Sequence, residues 1–310
     1  MRWNVKKVLL IYGGNSTEHD ISIKSADAIK SNIDTSKYIL DSVLITKENE
    51  WIYNDNKIDN IINFIKNYDV VFPITHGENG EDGKLQGMLD LFNIKYVGSK
   101  CGASYICMDK ARTKEILNQY KIPQVPYQIY NKKDKILLEY PIIVKPANGG
   151  SSIGISIANN KKELKNAIKN ANQYDNKIIL ERFLNNPIEL ECAILKDGNN
   201  IITEIGEIKH QNTFYDYDTK YNNDSICTNL KPNIEDTEKK LITNYAKKIF
   251  NILELDNLAR IDFLYDNGNI YLNEINTLPG FTTISMYPQL ITNKGISYKK
   301  LITTLIENAK

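Results

Sequence analysis

The sequence predicts a mixed α/β protein that opens with an open α/β sheet domain and continues into further α+β units. Three features carry this. A strand-like run, Lys7–Tyr12 (KVLLIY), ends at Gly13-Gly14 and is followed by Ile21, Ile23, Ala26 and Ile29 at mostly helical spacing, the opening of a βαβ unit. At 310 residues the chain exceeds the usual size of a single core, so two or three domains are expected. After Ile94–Gly98 the character changes to helices and hairpins joined by proline-marked connectors.

In the first hundred residues, Tyr38–Thr46 and Asp69–Thr75 supply further strands, with a helical segment near Ile58–Lys66 and an amphipathic helix over Lys84–Phe92. Open α/β sheets bind ligands beyond the carboxyl ends of their strands. Two polar clusters fall there: Asn15–Asp20, which equally fits a helix cap, and His76–Gly83 (HGENGEDG), whose three glycines admit close backbone approach. Cys101–Asn118 reads as one helix with Lys110 at its middle. Pro123 and Pro126 mark a connector, and Pro141–Lys145 is a strand ending in a lysine. The loop Asn148–Gly154 (NGGSSIG) offers backbone N–H groups and hydroxyls that can cradle phosphate or form a flexible hairpin tip; it is not a Walker A loop.

Lys161–Ala171 is a surface helix, Lys177–Glu181 a strand, and Pro187 a hinge. Ile188–Leu195 and Asn200–Glu207 form a hairpin around Asp197-Gly198. The run Thr213–Tyr221 (TFYDYDTKY) has four aromatics and no clean period, as a packed lid or a contact loop would. Asp236–Leu253 and Tyr298–Ala309 are helices.

Two strand-like runs flank Asp266-Asn267-Gly268. Arg260 and Asp262 share one face of the first, and Glu274 and Asn276 one face of the second. A strict two-residue Asn-Gly turn places these pairs on opposite faces of the hairpin. An odd-length or bulged loop at Asp266–Asn269 places them together. Together, two carboxylates and an amide oxygen suit a hard cation such as Mg²⁺ carrying phosphates; apart, they are a solvated sheet face.

Net charge is +1, with 42% hydrophobic and 25% charged residues, so no global field attracts nucleic acid or an anionic membrane. The four cysteines lack metal or redox spacing and read as free thiols. No window approaches the roughly 20 apolar residues of a membrane span, and the apolar run of the N-terminus is too brief for a signal peptide. A cytoplasmic enzyme is expected.

The segments GGNSTEHDIS, HGENGEDGKLQG, MDK, VKPANGGSSIG, FYDYDTKY, RIDF and NEINTLPGFT, in this order over nearly the whole chain, resemble the D-alanine–D-alanine ligases of the ATP-grasp superfamily. The resemblance implies three domains: an N-terminal α/β substrate domain over 1–99, a central ATP-grasp domain over 100–186, and a C-terminal ATP-grasp domain with the metal site over 187–310. It implies ATP and two Mg²⁺ ions, replaceable by Mn²⁺, held by Asp262, Glu274 and Asn276. Lys110, Lys145, Lys220 and the Gly150-Ser151-Ser152 loop would meet the nucleotide, mostly at its phosphates. Glu181 with Arg182, Phe183 and Leu184 would hold adenine, and Glu189 the ribose. Glu18 would receive the ammonium of the first D-alanine, linked to Ser151 and Tyr221, with His76 nearby. Arg260 and the Gly280 N–H would face the reacting carboxyl; Ser285, Met286 and Lys220 would surround the second D-alanine. The partners implied are two D-alanines and a second copy of the chain, with neither nucleic acid nor membrane.

The chemistry implied is attack of the first carboxylate on the γ-phosphate, then of the second amine on the acyl phosphate, supporting peptidoglycan precursor synthesis. Such a reaction needs cations around gathering negative charge and a lid against water. The sequence departs from the family at Cys227–Leu230 and at Ile157, neither a position with an assigned role. Retention of Tyr221 favours an amine as second substrate. The rival readings are another ATP-grasp carboxylate–amine ligase and an inactive nucleotide-binding module; the latter is disfavoured by the presence of Arg260, Asp262, Glu274 and Asn276 together.

Overall fold

The computed structural model describes residues 5–210 and 226–310. The first sheet is centred on β1 (Lys6–Gly13), which pairs in parallel with β2 (Tyr38–Ile45) and β5 (Val70–Pro73); β3 (Trp51–Tyr53) and β4 (Asn56–Lys57) extend it as an antiparallel edge. Val8–Ile11 are fully buried, as expected of a central parallel strand covered on both faces. Helix α1 (His19–Asn32) follows β1. Gly13 must be glycine: its φ is +89° and an added Cβ would lie 2.3 Å from the Ile45 carbonyl oxygen.

The second sheet has the order β6 (Tyr127–Ile129), β9 (Ile178–Arg182), β7 (Ile142–Pro146), β8 (Ser156–Ala158), all antiparallel. Strand alternation sorts its two faces. Ile142, Val144, Ile178 and Leu180 pack on helix α6 (Lys161–Ala171) through Leu164, Ala167, Ile168 and Ala171. Ile143, Lys145 and Glu181 therefore point the other way, with Ile143 directly opposite Glu181.

The third sheet runs β12 (Ile226–Asn229), β11 (Asn200–His210), β10 (Ile188–Asp197), β13 (Leu258–Asp266), β14 (Asn269–Asn276), again antiparallel. One face (Leu190, Cys192, Ile194, Ala259, Ile261, Phe263) is covered by Ile242, Ala246, Ile249 and Phe250 of helix α7 (Asp236–Ile252). The other face is divided along its length. Ala193, Leu195 and Leu258 enter a core shared with the first sheet and with helices α8 (Met286–Asn293) and α9 (Tyr298–Glu307). Glu191, Arg260 and Asp262 continue the same face beyond that core.

Two expectations are corrected. The predicted helix over Cys101–Asn118 is two helices, α4 (Cys101–Met108) and α5 (Lys110–Gln119), following α2 (Ile61–Ile65) and α3 (Lys84–Leu91) of the first unit. The buried Asp109 breaks it by capping α5, accepting from the Ala111 and Arg112 N–H groups at 3.1 Å each. Lys110 thus begins a helix rather than sitting mid-helix.

The second correction concerns the turn after β13. Asp266 pairs with Asn269, so Asn267-Gly268 is the plain two-residue turn, with φ of 48° and 82°. The extra residue lies in the strand instead: Phe263 pairs with Leu272 but Asp262 with Glu274, leaving Asn273 as a β-bulge. Among the short elements, β3, β4, β6, β8, β12 and α8 have too little periodic sequence to be read in advance.

Phe281 anchors the segment after β14. It is fully buried, with ring centroids 6.0 Å from Phe72, 5.8 Å from Tyr287 and 5.4 Å from Tyr298. Truncation there empties a well-packed site. Phe281→Ala is expected to lower stability by about 3–5 kcal/mol, seen as a fall in the urea midpoint; a change under about 1 kcal/mol would mean the site collapses without loss.

Candidate active site

The bulge decides the geometry of the acidic face. Because Asn273 is the extra residue, Glu191, Asp262 and Glu274 lie directly opposite one another across β10, β13 and β14, and Arg260 lies opposite Asn276. Arg260 makes a two-pronged contact with Asp262, Nε to Oδ1 at 2.8 Å and Nη2 to Oδ2 at 2.7 Å, and its Nε is 3.1 Å from Glu191 Oε2. Asn276 Nδ2 donates to Asp262 Oδ2 at 3.0 Å. Burial works against the Arg260 charge, but Asp262 and Glu191 more than offset it and hold the guanidinium well above its ordinary value. Glu191 carries no role in the sequence reading. Its signal is its parity in β10, visible only once β10 is known to neighbour β13.

Across from this face stands the start of α5. Lys110 Nζ donates to the Gly149 carbonyl at 2.6 Å and lies 3.9 Å from Glu274. The Gly-Ser loop between β7 and β8 has Gly149 at φ +127°, Ser151 at +53° and Ser152 at +59°. Gly150 lies outside the left-handed region, so handedness alternates from Gly149 to Ser151, and such alternation turns successive N–H groups to one side, the concavity that receives anions. Ser151 Oγ donates to Glu18 Oε1 at 2.8 Å, tying this loop to the N-terminus of α1. A Cβ at Gly77, where φ is +71°, would lie 2.9 Å from Glu18 Oε2, so that glycine gives the carboxylate its room.

His76 and Glu81 grip one residue of the segment 277–281, Leu278, at its carbonyl and its N–H. His76 Nδ1 donates to the Leu278 carbonyl at 2.9 Å, and Ser25 Oγ is 3.3 Å from its Nε2. Glu81 accepts from the Gly77 N–H at 2.8 Å and from the Leu278 N–H at 3.1 Å. Burial lowers the His76 pKa, which keeps the ring neutral. Burial, followed by the nearby Glu18 charge, pushes the Glu81 carboxyl up to about 8. Ser285 Oγ accepts from the Thr282 N–H at 3.1 Å and would lie 3.1 Å from a Cβ at Gly280. Met286 is the first residue of α8 and is buried in the shared core, its sulfur 2.8 Å from where a Cβ at Gly206 would be. Lys220 and Tyr221 lie outside the described residues.

Most of these groups border two cavities, whereas Ser285 and Met286 line neither. A cleft of about 620 Å³ between the second and third sheets is lined by Lys110, Lys145, Gly150, Ser152, Glu181, Arg182, Phe183, Leu184, Glu189, Asp262 and Glu274. A narrower one of about 70 Å³ is lined by Glu18, His76, Glu81, Ser151, Arg260, Asn276 and Gly280. They share a wall of Lys110, Gly149, Gly150 and Glu274. At the closed end of the large cleft Glu181 Oε2 is 2.6 Å from Lys145 Nζ, and its Oε1 is 2.7 Å from Lys114 Nζ. Lys114 was not singled out from the sequence. Lys110 and Lys114 are four apart on one helix, a like-charge pair that is unfavourable unless an anion faces it.

The family model for the D-ala D-ala ligase N-terminus matches residues 7–63 and 57–99, and that for the C-terminus matches residues 116–307. The chain belongs to the D-alanine–D-alanine ligase family. It is 39% identical to the D-alanine–D-alanine ligase of Acetivibrio thermocellus, over 98% of this chain and 96% of that one. Among solved structures it is similar to the VanG D-Ala:D-Ser ligase of Enterococcus faecalis (TM-score 0.87, 31% identity, 97% and 98% of the two chains). It is similar also to the Bacillus anthracis D-alanine–D-alanine ligase complexed with ATP (TM-score 0.80, 28% identity, 98% and 97%). The fold is the mixed α/β, ATP-grasp architecture of these ligases.

For the ligase fold, the Glu81 environment carries a pH signature. A carboxyl raised to about 8 in the folded protein, against an ordinary 4.5, binds a proton that the unfolded chain releases. Its contribution is complete below pH 4.5 and lost as pH rises through about 8. Wild-type stability should therefore fall relative to Glu81→Gln between pH 5 and 8, measured by urea unfolding. Parallel curves would place Glu81 in an ordinary carboxylate environment.

Proposed function

We propose that this chain is an ATP-dependent ligase that joins two D-alanines into D-alanyl-D-alanine for peptidoglycan precursors, releasing ADP and phosphate through an acyl phosphate. The observation that carries it is the shared wall: a nucleotide-sized cleft meets a small polar cavity where Lys110, the Gly149–Gly150 backbone and Glu274 line both. That is where a terminal phosphate and an amino-acid carboxylate would have to meet.

In this reading Glu18, held by Ser151, receives the ammonium of the first D-alanine. Arg260 leaves its contact with Asp262 in part to face the carboxylate that attacks the γ-phosphate. Lys110 and the Gly150–Ser152 backbone neutralise charge on the transferred phosphoryl group. Lys145, Glu181, Arg182, Phe183, Leu184 and Glu189 hold the nucleoside. The Gly280 N–H, fixed by the grip of His76 and Glu81 on Leu278, and Arg260 stabilise the tetrahedral oxyanion formed when the second amine attacks. Ser285 and Met286, the latter through the start of α8, shape the second subsite. The expected contacts of Lys220 and Tyr221 and the expected lid over Thr213–Tyr221 fall outside the described residues.

The donor set fits Mg²⁺. Asp262, Glu274 and Asn276 offer two carboxylates and an amide on one face, fewer protein ligands than a full cage, as suits an ion that shares its shell with phosphates. Bound there, Mg²⁺ or Mn²⁺ withdraws charge from the phosphate oxygens. The chain is further read as three domains divided near residues 99 and 186, as a homodimer, and as a cytoplasmic protein. Among the described residues no helix is long and apolar enough to cross a membrane.

D-Alanine is favoured as second substrate, since the curated relatives at 36–39% identity over 98% of the chain are D-alanine–D-alanine ligases. Purified protein with ATP, Mg²⁺ and a panel of D- and L-amino acids should release ADP and phosphate with D-alanine and yield the dipeptide. Release with another acid but none with D-alanine would overturn the assignment. Glu274→Gln should leave the fold intact, weaken Mg²⁺ dependence and lower kcat about 100-fold or more; full activity would remove Glu274 from the metal set.

A further inference from the structure

Three buried ionisable side chains meet at the closed end of the large cleft. Glu181 is 3% exposed, Lys114 2% and Lys145 6%. Glu181 is reached from two elements: Lys145 stands on β7, the neighbouring strand, and Lys114 comes from the second turn of α5. Tyr127, directly opposite Glu181 in β6, covers Lys114, whose Nζ lies 5.1 Å from its ring centroid. The lining of the cleft includes the apolar Val125, Ile143, Phe183 and Leu184. A flat heteroaromatic base fits between such walls, and its polar edge must satisfy whatever hydrogen-bonding group ends the slot.

Which edge is accepted depends on the protonation of Glu181. An ionised carboxylate only accepts, so it selects an amino group at the base's 6-position; a neutral carboxyl donates as well and tolerates a carbonyl there. A lone carboxylate this deeply buried would neutralise. Lys145 alone cannot guarantee the charge, because it also lines the nucleotide cleft, where a phosphate would compete for it. Lys114 does not line the cleft, and among the described residues its acidic partner is Glu181 alone. Burial pushes Glu181 up, but Lys114 first and Lys145 second more than offset this, and the carboxylate is held down at about 2.

We propose that Lys114 is the positioning residue for base selection: it keeps Glu181 a pure acceptor while ATP is bound and so sets the preference for a 6-amino over a 6-oxo purine. This rests on the ATP-dependent ligase reading above and adds to it a residue that does not itself touch the nucleotide. Lys114 then acts on KM for the nucleotide and on the choice of base, not on the chemical step.

The test compares ATP with ITP, which differ at the 6-position, in wild type, Lys114→Met, Lys114→Arg, Glu181→Gln and the double variant. In Lys114→Met the ATP KM should rise about tenfold, with kcat at saturating ATP and the D-alanine KM within about twofold, and the ATP-to-ITP ratio of kcat/KM should fall about tenfold. Lys114→Arg should retain most of the wild-type ratio. Adding Lys114→Met to Glu181→Gln should change the ratio no further, because the group it acts through is already neutral; this double variant buries no unpaired charge and remains a test if Lys114→Met alone does not fold. An unchanged ratio in Lys114→Met, a lost ratio in Lys114→Arg, or a further drop in the double variant would each overturn the proposal. A wild-type protein that does not use ATP at all would overturn the ligase reading with it.

Discussion

The site depends on one register shift. Between Phe263 and Asp262 the β13–β14 ladder takes in an extra residue, Asn273, and from there onward Glu274 and Asn276 stand on the face that carries Arg260 and Asp262. Strand side chains alternate with a period of two, so without an extra residue every group beyond Leu272 would point into the opposite layer. That layer is the apolar contact with α7, where the Glu274 carboxyl and the Asn276 amide would be buried without partners. The bulge therefore serves core and chemistry at once: Ile270, Leu272 and Ile275 all reach the core although their spacing changes from two to three. That change of spacing, Ile270-x-Leu272-x-x-Ile275, is itself the sequence mark of the bulge.

Around this face the charges are arranged so that each has an opposite neighbour. Arg260 binds Asp262 and lies beside Glu191; Lys110 lies near Glu274; Lys114 and Lys145 flank Glu181. Pairs this buried are poor sources of stability, since desolvation consumes most of their attraction. Their use is in position. A polyanion and a cation entering the cleft can exchange with these pairs, and the groups are already aimed when they arrive.

The two-cavity arrangement follows from how the layers join. The apolar half of the third sheet's inner face is glued to the first sheet through α8, α9 and Phe281, which brings the HGENGED loop onto Leu278 and next to Gly280. The second sheet contributes a separate core with α6 and meets the rest along the cleft; the connector leading into β6 touches β14, where the Leu272 N–H donates to the Pro123 carbonyl. A cleft bounded by separately packed layers can change width without breaking either core.

Much of this was legible in the sequence. Hydrophobic period and glycine turns marked the main strands and helices, and the ordered set of motifs marked the family and, from it, the residues that line both cavities. These are local signals or family-wide ones, and a linear string carries both. What the string left open was pairing: whether Asp262 and Glu274 share a face, that Asp109 ends one helix and begins another, that Glu191 joins the acidic row, that Glu81 accepts from the Leu278 N–H, and that Lys114 is buried against Glu181. Each of these depends on which strand or helix lies alongside, and burial and charge pairing between residues far apart in sequence exist only once the chain is folded. The sequence by itself determined the parts and their chemistry; the tertiary structure decided which faces they share, because one bulged residue and the order of strands in a sheet set the side of every side chain that follows.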